Sequence, residues 1–388
     1  MADTKVYTAS TTAPVNIAVI KYWGKRDTKL NLPTNSSLSV TLSQDDLRTH
    51  TTAACSSTFS TDTLILNGES QDVSGARQQA CFRELRSLRA ALESANSTLP
   101  KLSTFPLLIV SENNFPTAAG LASSAAGFAA LVRAIANLYE LPQNPTELSR
   151  IARQGSGSAC RSLFGGYVSW EQGTETDGSD SLALEVAPAS HWPQMKAAIL
   201  VVSAAKKGVS STSGMQATVA TSELFSHRAN VVVPQRMEKM KQAIKERDFE
   251  TFADLTMKDS NQFHAVCLDT QPPIFYLNDV SRAAIRAVDE INKKAGKKIA
   301  AYTFDAGPNA VIYYLEENEQ AVLGALNGGL EGVEGWKNVT ASADVSIEEA
   351  FLQPLKEGIT RVILTRVGEG PVRVEESLVD SQGQPIRK

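Results

Sequence analysis

The chain has 388 residues, 42% of them hydrophobic and 21% charged, with a formal net charge of −4. That length suits two domains, or one two-lobed unit, each burying its own core. The acidic balance disfavours nucleic-acid binding by bulk electrostatics, so an anionic ligand needs a local basic cluster. Residues 6–10 and 15–20 are β-branched and apolar and predict strands interrupted at Pro14. They lead into K-Y-W-G-K-R-D over 21–27, where Lys21, Lys25 and Arg26 surround Tyr22, Trp23 and Gly24. Such a turn at a strand end can bind an anion, although charge alone favours a solvated basic turn. Alternation over 47–70 predicts antiparallel strands, with Asn67-Gly68 as a hairpin signal. Over 75–95, Ala80, Leu85, Leu88 and Leu92 predict a helix with Arg77 at its start, by composition a surface arginine.

Residues 107–110 (L-L-I-V) read as a buried strand end, stopped by Pro116, and Gly120 permits a tight turn. Beyond Ser123 and Ser124, the spacing of Phe128, Leu131, Val132, Ile135 and Leu138 turns helical. Small residues over 117–127 let backbone approach a ligand. A helix start with unpaired N–H groups attracts an anion, and the two serines could cap the helix or reach that anion. The competing reading is an Ala-rich buried helix whose serines are merely caps. A second helix over 145–153 runs into R-Q-G-S-G-S-A-C-R-S-L-F-G-G-Y-V-S-W over 153–170. Gly155 and Gly157 open the backbone, Ser156 and Ser158 add hydroxyls, and Arg161 adds a guanidinium suited to a carboxylate or diphosphate. Pattern alone divides evenly between that site and a helix-to-helix linker. Cys160 has no histidine near it in sequence and reads as structural, and the acidic loop over 171–180 reads as a solvated hairpin tip.

A composition shift at 190–193 divides the chain into 1–190 and 191–388. A strand over 197–203 precedes K-K-G-V-S-S-T-S-G-M over 206–215, which contains Ser210, Ser211 and Thr212. Helices are expected over 215–226, 233–247 and 249–265. A strand over 300–304 enters D-A-G-P-N over 305–309, ordinarily a turn, before a strand over 310–315. A helix over 347–353 and a strand over 362–367 follow, and the polar tail from Ser377 is expected to be mobile. The four cysteines, Cys55, Cys81, Cys160 and Cys267, form no C-x-x-C pair, and the four histidines add no zinc spacing. These features predict a reducing compartment, without a signal peptide or a membrane span.

The string P-x-x-A-G-L-A-S-S-A resembles the phosphate loop of the galactokinase, homoserine kinase, mevalonate kinase and phosphomevalonate kinase superfamily. It holds Pro116, Ala119, Gly120, Leu121, Ala122, Ser123 and Ser124, and the P-loop pattern G-x-x-x-x-G-K-[ST] is absent from the chain. The opening A-P-V-N-I-A-x-x-K-Y-W-G-K-R-D narrows the resemblance to the mevalonate diphosphate decarboxylase family, fungal and animal type. G-S-G-S-A-C-R-S-L-F-G-G resembles that family's substrate loop, K-K-G-V-S-S-T-S-G-M its hinge-side loop, and T-F-D-A-G-P-N-A its catalytic-aspartate motif. The five motifs lie in register across essentially the whole chain.

The resemblance implies ATP-dependent decarboxylation of (R)-5-diphosphomevalonate to isopentenyl diphosphate, with ADP, phosphate and carbon dioxide released. Hydroxide leaves poorly, so phosphorylating the tertiary 3-hydroxyl creates a leaving group. Its loss builds positive charge at C3, and the carboxylate departs as carbon dioxide. Asp305, Arg161 and Ser124 are implied as catalytic. Lys21, Tyr22, Trp23, Gly24, Lys25, Arg77, Ser156, Gly157, Ser158, Ala159, Cys160, Arg161 and Thr212 are implied around the substrate. Pro116, Ala119, Gly120, Leu121, Ala122, Ser123, Ser124, Ser210 and Ser211 are implied around ATP, with Mg²⁺ whose protein ligands stay unassigned. The implied fold is α+β and two-lobed, a lobe like domain 2 of ribosomal protein S5 followed by a ferredoxin-like lobe, with the site in the cleft. A cytoplasmic homodimer without nucleic-acid or membrane partners is the family expectation. A mevalonate or phosphomevalonate kinase and a silent nucleotide sensor are the rival readings. The K-Y-W-G-K motif argues against the kinase, and the intact Asp305, Arg161 and Ser124 set against the sensor.

Overall fold

The computed structural model describes residues 5–115, 123–202, 208–336, 339 and 347–386. The first sheet has six strands, in the order Val372–Val374, Tyr7–Pro14, Arg48–Cys55, Leu107–Asn113, Thr63–Leu66 and Glu69–Gln71. All neighbours are antiparallel except Thr63–Leu66, which runs parallel to Leu107–Asn113. The helix Ser123–Leu138 lies on the strands Tyr7–Pro14 and Arg48–Cys55. Its Val132 and Ile135 join Phe82 and Leu85 of the helix Ala76–Ala95 and Leu148 of the helix Pro145–Gly155 in one core. The start of the last helix follows from its sequence. Asn144 and Glu147 form a reciprocal capping box, and Pro145 opens the helix where a missing N–H costs nothing.

A second sheet, ordered Ala183–Ala187, Tyr167–Trp170, Ser37–Thr41 and Asn16–Ile20, joins the two lobes. Its Ile17, Leu38 and Val40, with the adjoining Val15, belong to the same apolar cluster as Met237, Phe252 and Tyr313 of the second lobe. The third sheet is ordered Ala300–Phe304, Ala310–Leu315, Met195–Val202 and Ile359–Arg366, antiparallel throughout. Numbered along the chain from Met195, that order is 2-3-1-4. With helices between the first and second and between the third and fourth strands, this is the ferredoxin-like arrangement.

Two expectations are corrected. The helix expected over 215–226 is replaced by helices Ser211–Thr221 and Glu223–His227, and a π-helical segment, Arg228–Val232, runs on into the helix Val233–Glu246. The tail from Ser377 is anchored: Leu378 and Val379 are buried beside Ala54, Leu108 and Val110, and the Leu378 N–H donates to Thr52 Oγ1. The apolar pair covers the sheet face opposite the helices, which the polar average of the segment concealed. Among the described residues no helix is long and apolar enough to cross a membrane.

Candidate active site

The strand Asn16–Ile20 pairs with Ser37–Thr41 so that Ala18 faces Ser39, and the register shifts between Ala18 and Ile20. Successive side chains alternate faces, which puts Asn16, Ser37 and Ser39 on one side of the sheet. All three meet Arg161. Its Nε donates to Ser39 Oγ at 3.0 Å and Asn16 Oδ1 at 3.3 Å, and its Nη1 donates to Ser37 Oγ at 2.5 Å. Asn16 Nδ2 in turn donates to Ser162 Oγ and to the Ser158 carbonyl, tying the 3₁₀ turn Gly157–Leu163 to the sheet. The guanidinium also stands 5.8 Å from the Trp170 ring centroid. Arg161 is therefore buried, oriented and held by neutral partners, so its charge is available to an anion. Nothing in the pattern of 153–170 pointed to Asn16, Ser37 or Ser39. The one signal was a buried-strand sequence, P-V-N-I-A, interrupted by a single polar residue.

Beyond the register shift the chain delivers Lys21, whose Nζ donates to Asp305 Oδ1 at 2.7 Å. The lysine side chain is 3% exposed and the aspartate 36%, so the pair lies at the boundary of protein and cleft. Burial pulls the Lys21 pKa down, and the facing carboxylate of Asp305 opposes that shift. Asp305 follows directly on the strand Ala300–Phe304, and its carbonyl closes a tight turn with the Gly307 N–H at 2.7 Å.

Next along the chain, the Tyr22 ring packs edge-on to Trp170 at 4.7 Å. Its buried hydroxyl has no hydrogen-bond partner among the described residues, and burial raises its pKa. Gly157 lies against both rings: a Cβ there would stand 2.9 Å from ring atoms of Tyr22 and of Trp170. Gly24 has φ +88°, and a Cβ would meet Thr34 Oγ1 at 2.5 Å. Larger residues at either position would displace the turn. Trp23 points elsewhere, into a cluster with Phe263 and Tyr276, and donates Nε1 to Thr218 Oγ1. Ala159 and Cys160 are likewise buried. The Cys160 Sγ donates to the Gly157 carbonyl, and burial pushes its thiol up to about 12.

Arg77 is exposed, as its composition suggested, and it bonds across the two lobes. Its Nη2 donates to Thr212 Oγ1 at 3.0 Å, across 135 positions of sequence. Ser210 caps that second helix by accepting the Ser213 N–H, and Ser211 opens it. Lys25 feels burial first and Arg77 second, and both lower its pKa, to about 8. On the other side of the cleft, Ser124 Oγ lies 3.2 Å from Ser156 Oγ, which is 3.5 Å from Ser158 Oγ. The start of the helix Ser123–Leu138 thus meets the 156–161 turn. Beside it opens a cavity of about 270 Å³ with Leu64, Leu66, Ile109, Phe128 and Leu131 among its lining residues, together with Ser123 and Ser124. The sequence patterns had not located this cavity, because its lining comes from three strands and two helices. Pro116, Ala119, Gly120, Leu121 and Ala122 lie outside the described residues.

A ferredoxin-like lobe set against a second α+β lobe, with Lys21, Arg161 and Asp305 close together and a serine-bearing helix start beside the 156–161 turn, is the arrangement of an enzyme. Residues 13–183 match the diphosphomevalonate decarboxylase-like N-terminal domain, and residues 197–374 the mevalonate 5-diphosphate decarboxylase C-terminal domain. The diphosphomevalonate decarboxylase of Gibberella zeae is 71% identical over 381 residues, covering 97% of this chain and 100% of the relative. That of Saccharomyces cerevisiae is 60% identical over 389 residues, covering 97% and 98%. A crystal structure of mevalonate 5-diphosphate decarboxylase superposes with TM-score 0.90 at 59% identity, over 97% of this chain and 99% of that one. The structure of MDDEF in complex with MVAPP, AMPPCP and magnesium superposes with TM-score 0.74 at 30% identity, over 96% of this chain and 100% of that one. The chain belongs to the mevalonate 5-diphosphate decarboxylase family.

Proposed function

We infer that this chain converts (R)-5-diphosphomevalonate and ATP to isopentenyl diphosphate, ADP, phosphate and carbon dioxide. The observation that carries this reading is the Lys21–Asp305 pair in the same cleft as a buried, neutrally held Arg161. Asp305 accepts the proton of the 3-hydroxyl while the neighbouring ammonium keeps the carboxylate oriented. Arg161 and Ser158 hold the carboxylate that departs. Tyr22, Lys25, Arg77 and the 156–158 turn hold the diphosphate, with Thr212 positioned by Arg77. Gly24, Trp23, Ala159 and Cys160 shape this wall rather than touch the substrate. The residues numbered 1–190 supply most of the phosphate and substrate side, and those numbered 191–388 supply Asp305 together with Ser210, Ser211 and Thr212.

The helix start at Ser123 and Ser124, with the 116–122 turn before it and Ser210 and Ser211 across from it, holds the ATP phosphates. The apolar cavity beside it takes the base. Among the described residues no group of three or more His, Cys, Asp or Glu side chains could hold a metal. Held with the ATP phosphates, Mg²⁺ would have the Ser124 and Ser156 hydroxyls as candidate protein oxygens. The ion would supply neutralisation of phosphate charge at that place. A cytoplasmic homodimer is part of the same reading, and sedimentation velocity tests the dimer.

A coupled assay decides between decarboxylase and kinase. With diphosphomevalonate, ADP, phosphate and carbon dioxide should appear in equal amounts. ADP accompanied by a stable phosphorylated product and no carbon dioxide would leave the kinase standing. Two narrower results follow. Ser124→Ala acts mainly on the ATP phosphates, so KM for ATP should rise about tenfold, and more than KM for diphosphomevalonate. An unchanged ATP dependence would make the serine only a cap. Lys25 is charged below about pH 8 and loses its proton above it. A diphosphate binds the ammonium form, so KM for the substrate should rise with pH above about 8, by at most about tenfold per unit. Lys25→Arg should flatten that rise, and an identical profile in the variant would remove Lys25 from the diphosphate site.

A further inference from the structure

Lys21 is anchored at its peptide as well as at its ammonium. Its N–H donates to Asp259 Oδ2 at 2.7 Å, and its carbonyl accepts from Asn35 Nδ2 at 3.0 Å and from Arg228 Nη2 at 3.3 Å. Asp259, on the helix Phe249–Leu268, has no exposed surface. Arg228 grips it with a fork, Nη1 on Oδ1 and Nη2 on Oδ2, both at 2.9 Å, and Arg236 Nη1 adds a third bond at 2.9 Å. One carboxylate–guanidinium pair therefore reaches both backbone polar groups of Lys21, on the two peptide units that flank its Cα.

Two physical facts mark this pair as more than core. A fully buried ion pair costs so much desolvation that apolar residues of similar volume often stabilise a fold as well or better. Moreover, Arg228 opens the π-helical segment Arg228–Val232, and such segments are rare and concentrate at functional sites. We propose that Asp259 and Arg228 are positioning residues, a buried clamp on the Lys21 peptide that holds the Lys21 ammonium against Asp305 during catalysis. The proposal rests on the function inferred above. Neither clamp residue touches substrate. The charged and titratable groups around Lys21 are Asp305, Asp259, Arg161, Arg228 and His264. Burial drives His264 down to about 3, which leaves it neutral at working pH. Asp259 is thus one of only two anions among these groups that favour the charged lysine.

The test compares wild type with Asp259→Asn and Arg228→Lys, each verified as folded by circular dichroism and thermal unfolding. Steady-state kinetics with diphosphomevalonate and Mg-ATP are followed across pH. Misplacing a catalytic group by about 1 Å costs on the order of a hundredfold, so both variants should lose about ten- to a hundredfold in kcat. KM for ATP should stay within about twofold, because the phosphate side is built from other elements. In Asp259→Asn the alkaline limb of kcat should move to lower pH, since an anion that favours the ammonium is gone. Should Asp259→Asn fail to fold, Arg228→Lys decides on the same kcat and KM criteria. Wild-type kcat and an unmoved alkaline limb in a folded variant, even one with a lower Tm, would make the pair purely structural and overturn the proposal. A second readout needs no turnover: NMR of lysine-labelled protein should show the Lys21 titration at lower pH in Asp259→Asn, and an unmoved titration overturns the clamp. A wild type that shows this difference from the variant yet releases no carbon dioxide would refute the function and leave the clamp intact.

Discussion

Replacing Asp305 with asparagine should lower kcat by about two to four orders of magnitude while substrate affinity stays nearly intact. Asparagine keeps the shape of the side chain and an oxygen that can accept from Lys21 Nζ, now 2.7 Å from the carboxylate. It cannot take the proton of the 3-hydroxyl. The variant also leaves Lys21, 3% exposed, without its facing charge. Burial already dominates the Lys21 pKa, so loss of Asp305 lowers it further and the lysine loses its charge at lower pH. The groups proposed to bind diphosphate, Tyr22, Lys25 and Arg77, are separate from that pair, which is why KM should move little. Steady-state kinetics on a variant with a native thermal transition check the result. Near-normal turnover would remove Asp305 from the mechanism.

Arg161→Lys should be nearly as damaging, although it conserves charge. The guanidinium is held through Nε by Ser39 and Asn16 and through Nη1 by Ser37. An ammonium cannot reproduce that fork, and it leaves buried hydroxyls and an amide oxygen without their donor. Loss of two charge-assisted hydrogen bonds at about 1.5–3 kcal/mol each predicts a fall in kcat/KM of about two to four orders of magnitude. The measurement is kcat/KM for diphosphomevalonate, with ATP binding as the control. A variant with wild-type kcat/KM would show Arg161 to be a diffuse charge with no role in orienting the substrate.

The loops that converge on the cleft were legible because each concentrates residue types that a plain core or plain turn does not. Residues 21–25 set two cations around an aromatic pair beside a glycine, and 155–161 alternate glycine and serine before an arginine. The hydrophobic spacing of the helix after Ser124 is equally local. Arg77 shows the limit of such reading: on its own helix it is an ordinary exposed cation, and its partner Thr212 lies 135 positions away.

What the sequence by itself determined were the segments whose physics is local: strand and helix periods, caps such as Asn144 with Glu147, and glycines where a side chain would collide. The tertiary structure alone decided which distant polar groups meet. Asn16, Ser37 and Ser39 became the cradle of Arg161 only when two strands paired in one register, since a one-residue slip would turn all three to the other face. Asp259 and Arg228 reached the Lys21 peptide only because a π segment and a buried helix came together. The tail at Leu378 and Val379 found its place because one sheet face remained uncovered by helices. In each case the partners are separated by tens to hundreds of residues, and a buried polar group carries no sign in its own neighbourhood of what will satisfy it.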